Sequence, residues 1–307
     1  MSFGAIERGE AVRVLVLGGN GMLGHKAYQV FDGLFETWTT VRFRKEELKR
    51  FSFFDLSRVV DGVEAGKFES VRRAVGEAAP DVVVNCMGIV KQLKEVEVPS
   101  AAIMANALFP HLLHELCSAS GIRLIQISTD CVFSGKIGNY REDSQPDAED
   151  LYGRTKLLGE VTEKNSLTLR TSMIGRELDR TVGLVEWLLS QKGKKVQGYR
   201  NAIFTGFTTK VLSGILADII ARHPRLTGLY HLSSNPISKF DLLCLVRDIV
   251  GVDVEIAPSD HVFCDRSLNS SRFRKLVAFE PPSWREMING LAVEMKDYAA
   301  WRGELLK

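Results

Sequence analysis

The chain has 307 residues, 45% of them hydrophobic, 25% charged and 8% aromatic. A chain of this length buries enough apolar surface to fold without disulfide or metal staples, and its composition excludes collagen-like, coiled-coil and disordered classes. With 40 basic against 38 acidic side chains and a formal net charge of +2, there is no electrostatic footprint for nucleic acid or an anionic membrane as partner.

Ala11–Leu17 (AVRVLVL) reads as a short strand running into glycines, and Met22–Phe31 as a helix. Glu36–Val41 is a second strand, and Arg44–Arg50 a charged loop or brief helix. Phe51–Phe54 is expected as a third short strand ended by Asp55. Phe68–Ala79 has a helical pattern closed by Pro80, and Asp81–Val84 is a fourth strand. Ala101–Ser120 reads as one long amphipathic helix stopped at Gly121, and Ile122–Ile127 as the fifth strand. Short β-branched strands joined by helical connections point to an α/β fold, a doubly wound parallel sheet. Beyond residue 150, helices are expected at Leu151–Glu163, Gly183–Ser190, Lys210–His223 and Lys239–Val250. Strands are expected at Leu167–Thr171 and Leu229–Leu232, a loop over Gly198–Phe207, and a mixed tail at the end.

The cysteines Cys86, Cys117, Cys131, Cys244 and Cys264 include no C-x-x-C pair. That argues against a disulfide framework or zinc ribbon and for a reducing, cytoplasmic setting. Residues 1–10 carry no apolar signal region, so no secretory signal is expected. No apolar run approaches the ~18 residues that cross a bilayer.

Between the first strand and the first helix lies Gly18-Gly19-Asn20-Gly21-Met22-Leu23-Gly24, with Gly18, Gly21 and Gly24 spaced G-x-x-G-x-x-G. Glycines there permit close backbone approach to a pyrophosphate, and the helix N-terminus supplies N–H groups and a positive dipole end. At the end of the second strand, an acid binds the ribose of NAD and a base accommodates the 2′-phosphate of NADP. Here Arg42, Arg44 and Lys45 precede the first acid, Glu46. NADPH is therefore the expected cofactor, with NADH the alternative.

Tyr152 and Lys156 form a Y-x-x-x-K motif, which puts both side chains on one face of a helix. A phenol of pKa near 10 is a weak acid at neutral pH; a neighbouring ammonium is expected to lower it. Upstream, Ser128-Thr129-Asp130-Cys131 closes the fifth strand, at the sheet end where doubly wound folds bind ligands.

The set GGNGMLG, VVNCMG, ISTDCVFSG, YGRTKLLGE, LRTS and GLYHLSS, spread over roughly residues 12–290, resembles the dTDP-4-dehydrorhamnose reductase family of extended short-chain dehydrogenases. The resemblance implies a Rossmann domain over 1–172, rejoined by 206–236, and a smaller substrate-binding domain from 173–205 and 237–307. It implies NAD(P)H-dependent reduction of the 4-keto group of a nucleotide-linked deoxysugar, in polysaccharide biosynthesis. Tyr152 would be the general acid, Lys156 would hold the nicotinamide ribose, and Thr129 would bond the keto oxygen with Ser128 nearby. Gly18, Asn20, Gly21, Met22, Leu23 and Arg42 would bind the dinucleotide, Asp55 and Leu56 would lie beside the adenine, and Cys86, Met87 and Gly88 would line its cleft.

Two positions depart from the family pattern. Cys131 stands where an aromatic is usual after S-T-D, and Met173 where Trp is usual after R-T-S. Both positions lie near the sugar in the family, so the pocket should differ there, and an acetamido substituent is one group it could admit. Arg200 and Arg266 are further candidates for the substrate phosphates. His111 and His114 match no metal motif and have no third ligand in the sequence, so no metal is expected. Trp187, Trp284 and Trp301 read as packing anchors. Other readings are a sugar-nucleotide epimerase or dehydratase, or an NADP-binding regulatory subunit of the methionine adenosyltransferase type. Cys131 in place of an acid counts against dehydration, and the bases near Arg42 count against tightly held NAD. The oligomeric state is left open, a homodimer being one form.

Overall fold

The computed structural model describes residues 11–90 and 98–303, so the first ten residues lie outside it. Strand β1 (Arg13–Leu17) leads through the glycine loop into helix α1 (Gly24–Asp32) and strand β2 (Glu36–Thr40). Strand β3 (Val59–Val60), helix α2 (Phe68–Ala78) and strand β4 (Val82–Asn85) follow. Helices α3 (Pro99–Ala102) and α4 (Phe109–Ala119) are joined by a π-helical turn over Ile103–Leu108 and lead to strand β5 (Arg123–Thr129).

The expected strand at Phe51–Phe54 does not form. Those aromatics fold instead into a cluster, with Phe53 and Phe54 at 4.4 Å and Tyr28 and Phe54 at 5.1 Å between ring centroids. Burial of Phe51 and Phe54, the latter against Tyr28 of α1, outweighs their β-propensity, and the strand falls on β-branched Val59–Val60, which pairs with Thr39–Thr40. The long helix is present, but as the interrupted α3–π–α4 run.

After β5 come helix α5 (Leu151–Leu158), strands β6 (Ser166–Thr171) and β7 (Met173–Ile174), and helix α6 (Leu184–Leu189). Helix α5 ends well before Glu163. A Cβ at Gly159 would lie 1.9 Å from the Asn106 carbonyl oxygen, so the chain leaves the helix where two backbones touch. The expected loop over 198–207 is largely extended: β8 (Lys195–Tyr199), β9 (Ala202–Phe204) and β10 (Phe207–Thr208). Its glycine and polar content hid strands whose partners lie far along the chain. Then come α7 (Thr209–Arg222), β11 (Gly228–His231), β12 (Ile237–Ser238) and α8 (Lys239–Val250). The expected mixed tail resolves into β13 (Glu255–Ser259), β14 (Cys264–Asp265), α9 (Ser271–Val277) and α10 (Trp284–Arg302). The last helix starts on a reciprocal capping box between Ser283 and Glu286.

One seven-stranded sheet has the order β11-β6-β5-β4-β1-β2-β3. β1 pairs in parallel with both β2 and β4, β2 with β3, and β4 with β5. The order reverses between β1 and β4, and the crevice at their carboxyl ends is where doubly wound sheets take ligands. The chain divides into two compact units. The first contains residues 11–128, 155–168 and 212–229. Its core packs Leu15, Leu17, Val83 and Leu124 against Val71 and Val75 of α2 and Phe109 and Leu113 of α4. The second contains residues 129–154, 169–211 and 230–303. There Phe133 stacks on Tyr140 at 4.1 Å, and β8 pairs in parallel with β13. Trp284 is buried against Phe204 and donates Nε1–H to the Asn235 carbonyl at 2.8 Å.

Candidate functional site

The glycine loop belongs to the first unit. The Gly18 amide donates to Thr40 Oγ1 at 3.1 Å and the Gly19 amide to the Thr40 carbonyl at 2.8 Å, so the loop is stitched to the end of β2. Gly18 has φ +83°, a conformation that β-carbons disfavour. A Cβ at Gly24 would lie 2.1 Å from the Gly18 carbonyl oxygen, so only glycine lets α1 start this close to the turn. Asn20, Gly21 and Met22 are half-buried and Leu23 is buried. The glycines thus bring the loop backbone close to a helix N-terminus, the geometry suited to a pyrophosphate.

Arg42 is exposed just past β2, and Arg44 lies 3.6 Å from Glu46. Asp55 caps the short turn 56–58: its Oδ1 accepts from the Ser57 amide at 3.0 Å and hydroxyl at 2.7 Å, and these bonds lower its pKa. Leu56 is half-buried beside it. Beyond β4, the Cys86 amide bonds the Leu17 carbonyl and the Met87 amide bonds Asn85 Oδ1. Gly18 and Met87 meet across the strand reversal, since a Cβ on Gly18 would be 3.1 Å from Met87 Cγ. Burial pushes the Cys86 thiol up to about 12, so it stays protonated.

Sequence reasoning missed Asn106. It is buried in the π-helical turn, where its Oδ1 accepts from the Ile89 amide and its Nδ2 donates to the Ile89 carbonyl, both at 2.9 Å. That two-point clasp fixes the segment following Gly88. An isolated Asn inside an apolar helix was the available signal.

Lys156 is buried and donates Nζ–H to the Ile127 carbonyl at 2.7 Å. Burial lowers its pKa to about 8, with Glu160 and Cys86 working the other way. Ser128, buried at the end of β5, donates to Glu160 Oε1 at 2.7 Å. Glu160 is a second residue the sequence did not single out.

Tyr152, Thr129, Cys131, Met173, Arg200 and Arg266 belong to the second unit. The Tyr152 phenol hydrogen-bonds with Thr129, and its pKa is raised, chiefly by burial and then by Cys131, Asp130 and Asp150; the Thr129 bond opposes the rise. The expectation of a phenol lowered toward neutrality therefore gives way to one held firmly protonated, because desolvation outweighs the opposing bond. Thr129 Oγ1 accepts from the Cys131 amide at 3.1 Å and donates to Asp130 Oδ1 at 3.2 Å. Cys131 and Arg266 line one cavity of about 340 Å³ together with Asp150 and Ser134. Arg266 donates Nε–H to the Phe133 carbonyl at 2.8 Å. Arg200 lies apart from that cavity's lining, in a two-point pair with Asp260 at 2.9 and 2.6 Å. Met173 is half-buried in β7, paired with Phe207. His111 contacts the Leu158 carbonyl and His114 the Ser166 hydroxyl, both at 2.7 Å. Among the described residues no helix is long and apolar enough to cross a membrane.

A family model described as RmlD substrate binding domain matches residues 12–296. The chain is 27% identical over 266 residues to methionine adenosyltransferase 2 subunit beta of Mus musculus, covering 81% of this chain and 74% of that one. It is 41% identical over 92 residues to a dTDP-4-dehydrorhamnose reductase of Streptomyces griseus, covering 30% of each. In fold it is similar to the dTDP-4-dehydrorhamnose reductase of Bacillus anthracis str. Ames solved in complex with NADP, with 21% identity, a TM-score of 0.75, and coverage of 92% of this chain and 99% of that one. The glycine loop, the β5 end and the family match over 12–296 converge: the chain belongs to the RmlD substrate binding domain family, that of the dTDP-4-dehydrorhamnose reductases.

Proposed function

We propose that this protein is an NADPH-dependent reductase of the 4-keto group of a nucleotide-linked deoxysugar. The observation that carries the reading is α5, which bears Tyr152, hydrogen-bonded to Thr129, and four residues on Lys156, buried and bonded to the Ile127 carbonyl. Holding a dinucleotide calls for the ammonium at the ribose; a half-buried phenol bonded to Thr129 one helical turn away is what a proton-donating reductase adds.

The cradle fits a nicotinamide dinucleotide, because glycine at 24 lets α1 start against the Gly18 carbonyl and brings the helix N-terminus to the loop. Gly18, Asn20, Gly21, Met22 and Leu23 would hold the pyrophosphate and Arg42 the 2′-phosphate. Asp55 and Leu56 would lie beside the adenine, Cys86, Met87 and Gly88 would line the cofactor cleft, and Lys156 would hold the nicotinamide ribose. When bound, the cofactor supplies the hydride. In this reading residues 1–172 with 206–236 serve the cofactor, and 173–205 with 237–307 the sugar nucleotide. Tyr152 stays protonated through the neutral range and gives its proton to the oxygen forming at sugar C4. An alkoxide is far more basic than a phenolate, so a raised phenol pKa still leaves the transfer downhill. Thr129, whose hydroxyl donates to Asp130 Oδ1 in the free protein, turns it to the same oxygen, and donors placed where charge develops are worth roughly 10²–10³ in rate each. Ser128, Cys131, Met173, Arg200 and Arg266 are the proposed substrate contacts.

The test is NADPH oxidation against a panel of nucleotide-linked 4-keto-6-deoxy sugars, with turnover of at least one expected. The second reading is a non-catalytic NADP-binding regulatory subunit, favoured by the 27% identity to methionine adenosyltransferase 2 subunit beta over 81% of this chain. Tight NADPH binding with no turnover on the whole panel would overturn the reductase and leave that reading.

A further inference from the structure

We propose that Asp130 is the proton store for Tyr152, and that a hydrogen-bonded row from the Asp130 carboxyl through the Thr129 hydroxyl to the Tyr152 phenol returns the proton lost in each turnover. The proposal rests on the reductase reading.

The row lies wholly within the second unit. Thr129 Oγ1 donates to Asp130 Oδ1 at 3.2 Å, and Thr129 also bonds the phenol. The Cys131 amide, 3.1 Å from Thr129 Oγ1, holds that oxygen in place. The Cys131 thiol bonds the Asp130 carboxyl from the same turn. Thr129 and Asp130 are 7% and 6% exposed, so bulk water is a poor competitor for either link.

The groups facing Asp130 come from four places: Cys131 and Thr129 on its own turn, Tyr152 on α5, Arg266 beyond β14, and Lys239 at the start of α8. Burial raises the carboxyl, and the two cations oppose it. Asp130 therefore holds a proton more tightly than an exposed aspartate, while Arg266 and Lys239 stabilise the anion left when it is spent.

In the transfer, the Tyr152 O–H bond breaks and an O–H bond forms on the sugar C4 oxygen, leaving phenolate. Once the sugar oxygen is protonated, the Thr129 hydroxyl turns to the phenolate and gives it its proton, while the Asp130 carboxyl gives its own to Thr129. Phenol and alcohol are restored and one carboxylate remains. Water recharges it through the cavity that Cys131 and Arg266 line, since both side chains also face Asp130.

The experiment uses the full chain with NADPH and a 4-keto sugar nucleotide that the wild type reduces. Asp130→Asn keeps the shape and hydrogen-bonding capacity but carries no acidic proton. Its first turnover in rapid mixing should stay close to wild type, while multiple turnover falls roughly 10²-fold and KM falls with it, leaving kcat/KM near wild type. Asp130→Glu should recover part of the loss, and so should a small carboxylic acid added to Asp130→Asn. On the wild type itself, deuterated water should slow multiple turnover more than the first turnover, a result that needs no variant to fold. Unchanged multiple turnover in Asp130→Asn, or equal slowing of both phases in deuterated water, overturns the relay alone. A wild type that reduces no sugar nucleotide overturns the reductase reading and the relay together.

Discussion

The glycine loop and the segment after β5, proposed above for the cofactor and the sugar nucleotide, are held in place by opposite means. Residues 18–24 are held by bonds among themselves and to the adjacent strand end at Thr40. Residues 133–140 are held from more than a hundred residues away. Asp265 donates its amide to the Gly135 carbonyl at 2.7 Å, Arg266 its side chain to Phe133 at 2.8 Å, and Tyr140 its amide to the Ser267 carbonyl at 2.9 Å. Asn139 donates its amide to the Ser267 hydroxyl at 2.7 Å, completing the clasp. Under the proposed function, the cofactor cradle is a local device, whereas the sugar side is assembled from distant segments and is free to diverge.

The sharpest way to break that division is Tyr152→Phe. It should lower single-turnover reduction roughly 10²–10³-fold while NADPH affinity stays near wild type. Near-wild-type hydride transfer would place the acid elsewhere.

Next is Lys156, whose pKa in the fold is about 8 against an ordinary 10.5. Below pH 8 both folded and unfolded chains carry its charge, and the full burial penalty is present. Between 8 and 10.5 the unfolded chain binds more protons, so stability rises with pH and the penalty fades. Relative to Lys156→Met, the wild type should gain about 3 kcal/mol between neutral and strongly alkaline pH, since each tenfold change in proton affinity is worth about 1.4 kcal/mol. Denaturant melts of both proteins across that range measure it, and a constant difference would show that burial does not set the Lys156 pKa.

Arg42→Asp comes third. Loss of a charge-assisted contact should weaken NADPH by roughly 1.5–3 kcal/mol and leave NADH nearly unchanged, read by calorimetric titration of both. Equal effects on the two cofactors would remove Arg42 from the 2′-phosphate.

The smallest effect belongs to Arg200→Ala. Its pairing with Asp260 is half-exposed, so stability should change by about 1 kcal/mol or less. A large rise in KM for the sugar nucleotide would draw Arg200 into the sugar side despite that partner.

The same contrast explains what could be read in advance. Strands β1, β2, β4 and β5 and the glycine and Y-x-x-x-K motifs follow from patterns a few residues long. Helices α1, α2 and α8 are equally local. Phe51–Phe54 misled because aromatic residues suit a strand and a cluster equally, and Tyr28, which decides, comes from α1. Strands β8, β9 and β14 went unread because their partners, such as Glu255 opposite Lys195, are set by tertiary register. Asp130 and Glu160 were passed over for a related reason. A carboxylate takes on meaning from what surrounds it, and neither burial nor the Ser128 bond is visible in a string of letters.

The π-helical turn over Ile103–Leu108 carries a final consequence, one of phase. Such a turn holds one residue more than the α-helical ladder accommodates. Excising a single residue there would let α3 and α4 merge into one continuous α-helix. The flanking helices would keep their faces, since the wider turn already absorbs that residue's rotation, but the residues of the turn itself would be re-phased. The amide that grips Ile89 would swing away from it, and the carbonyl that abuts Gly159 would turn with it. The irregular turn thus acts as a phase correction that lets one helix both seat its apolar face on the sheet and aim an amide at the loop beyond β4.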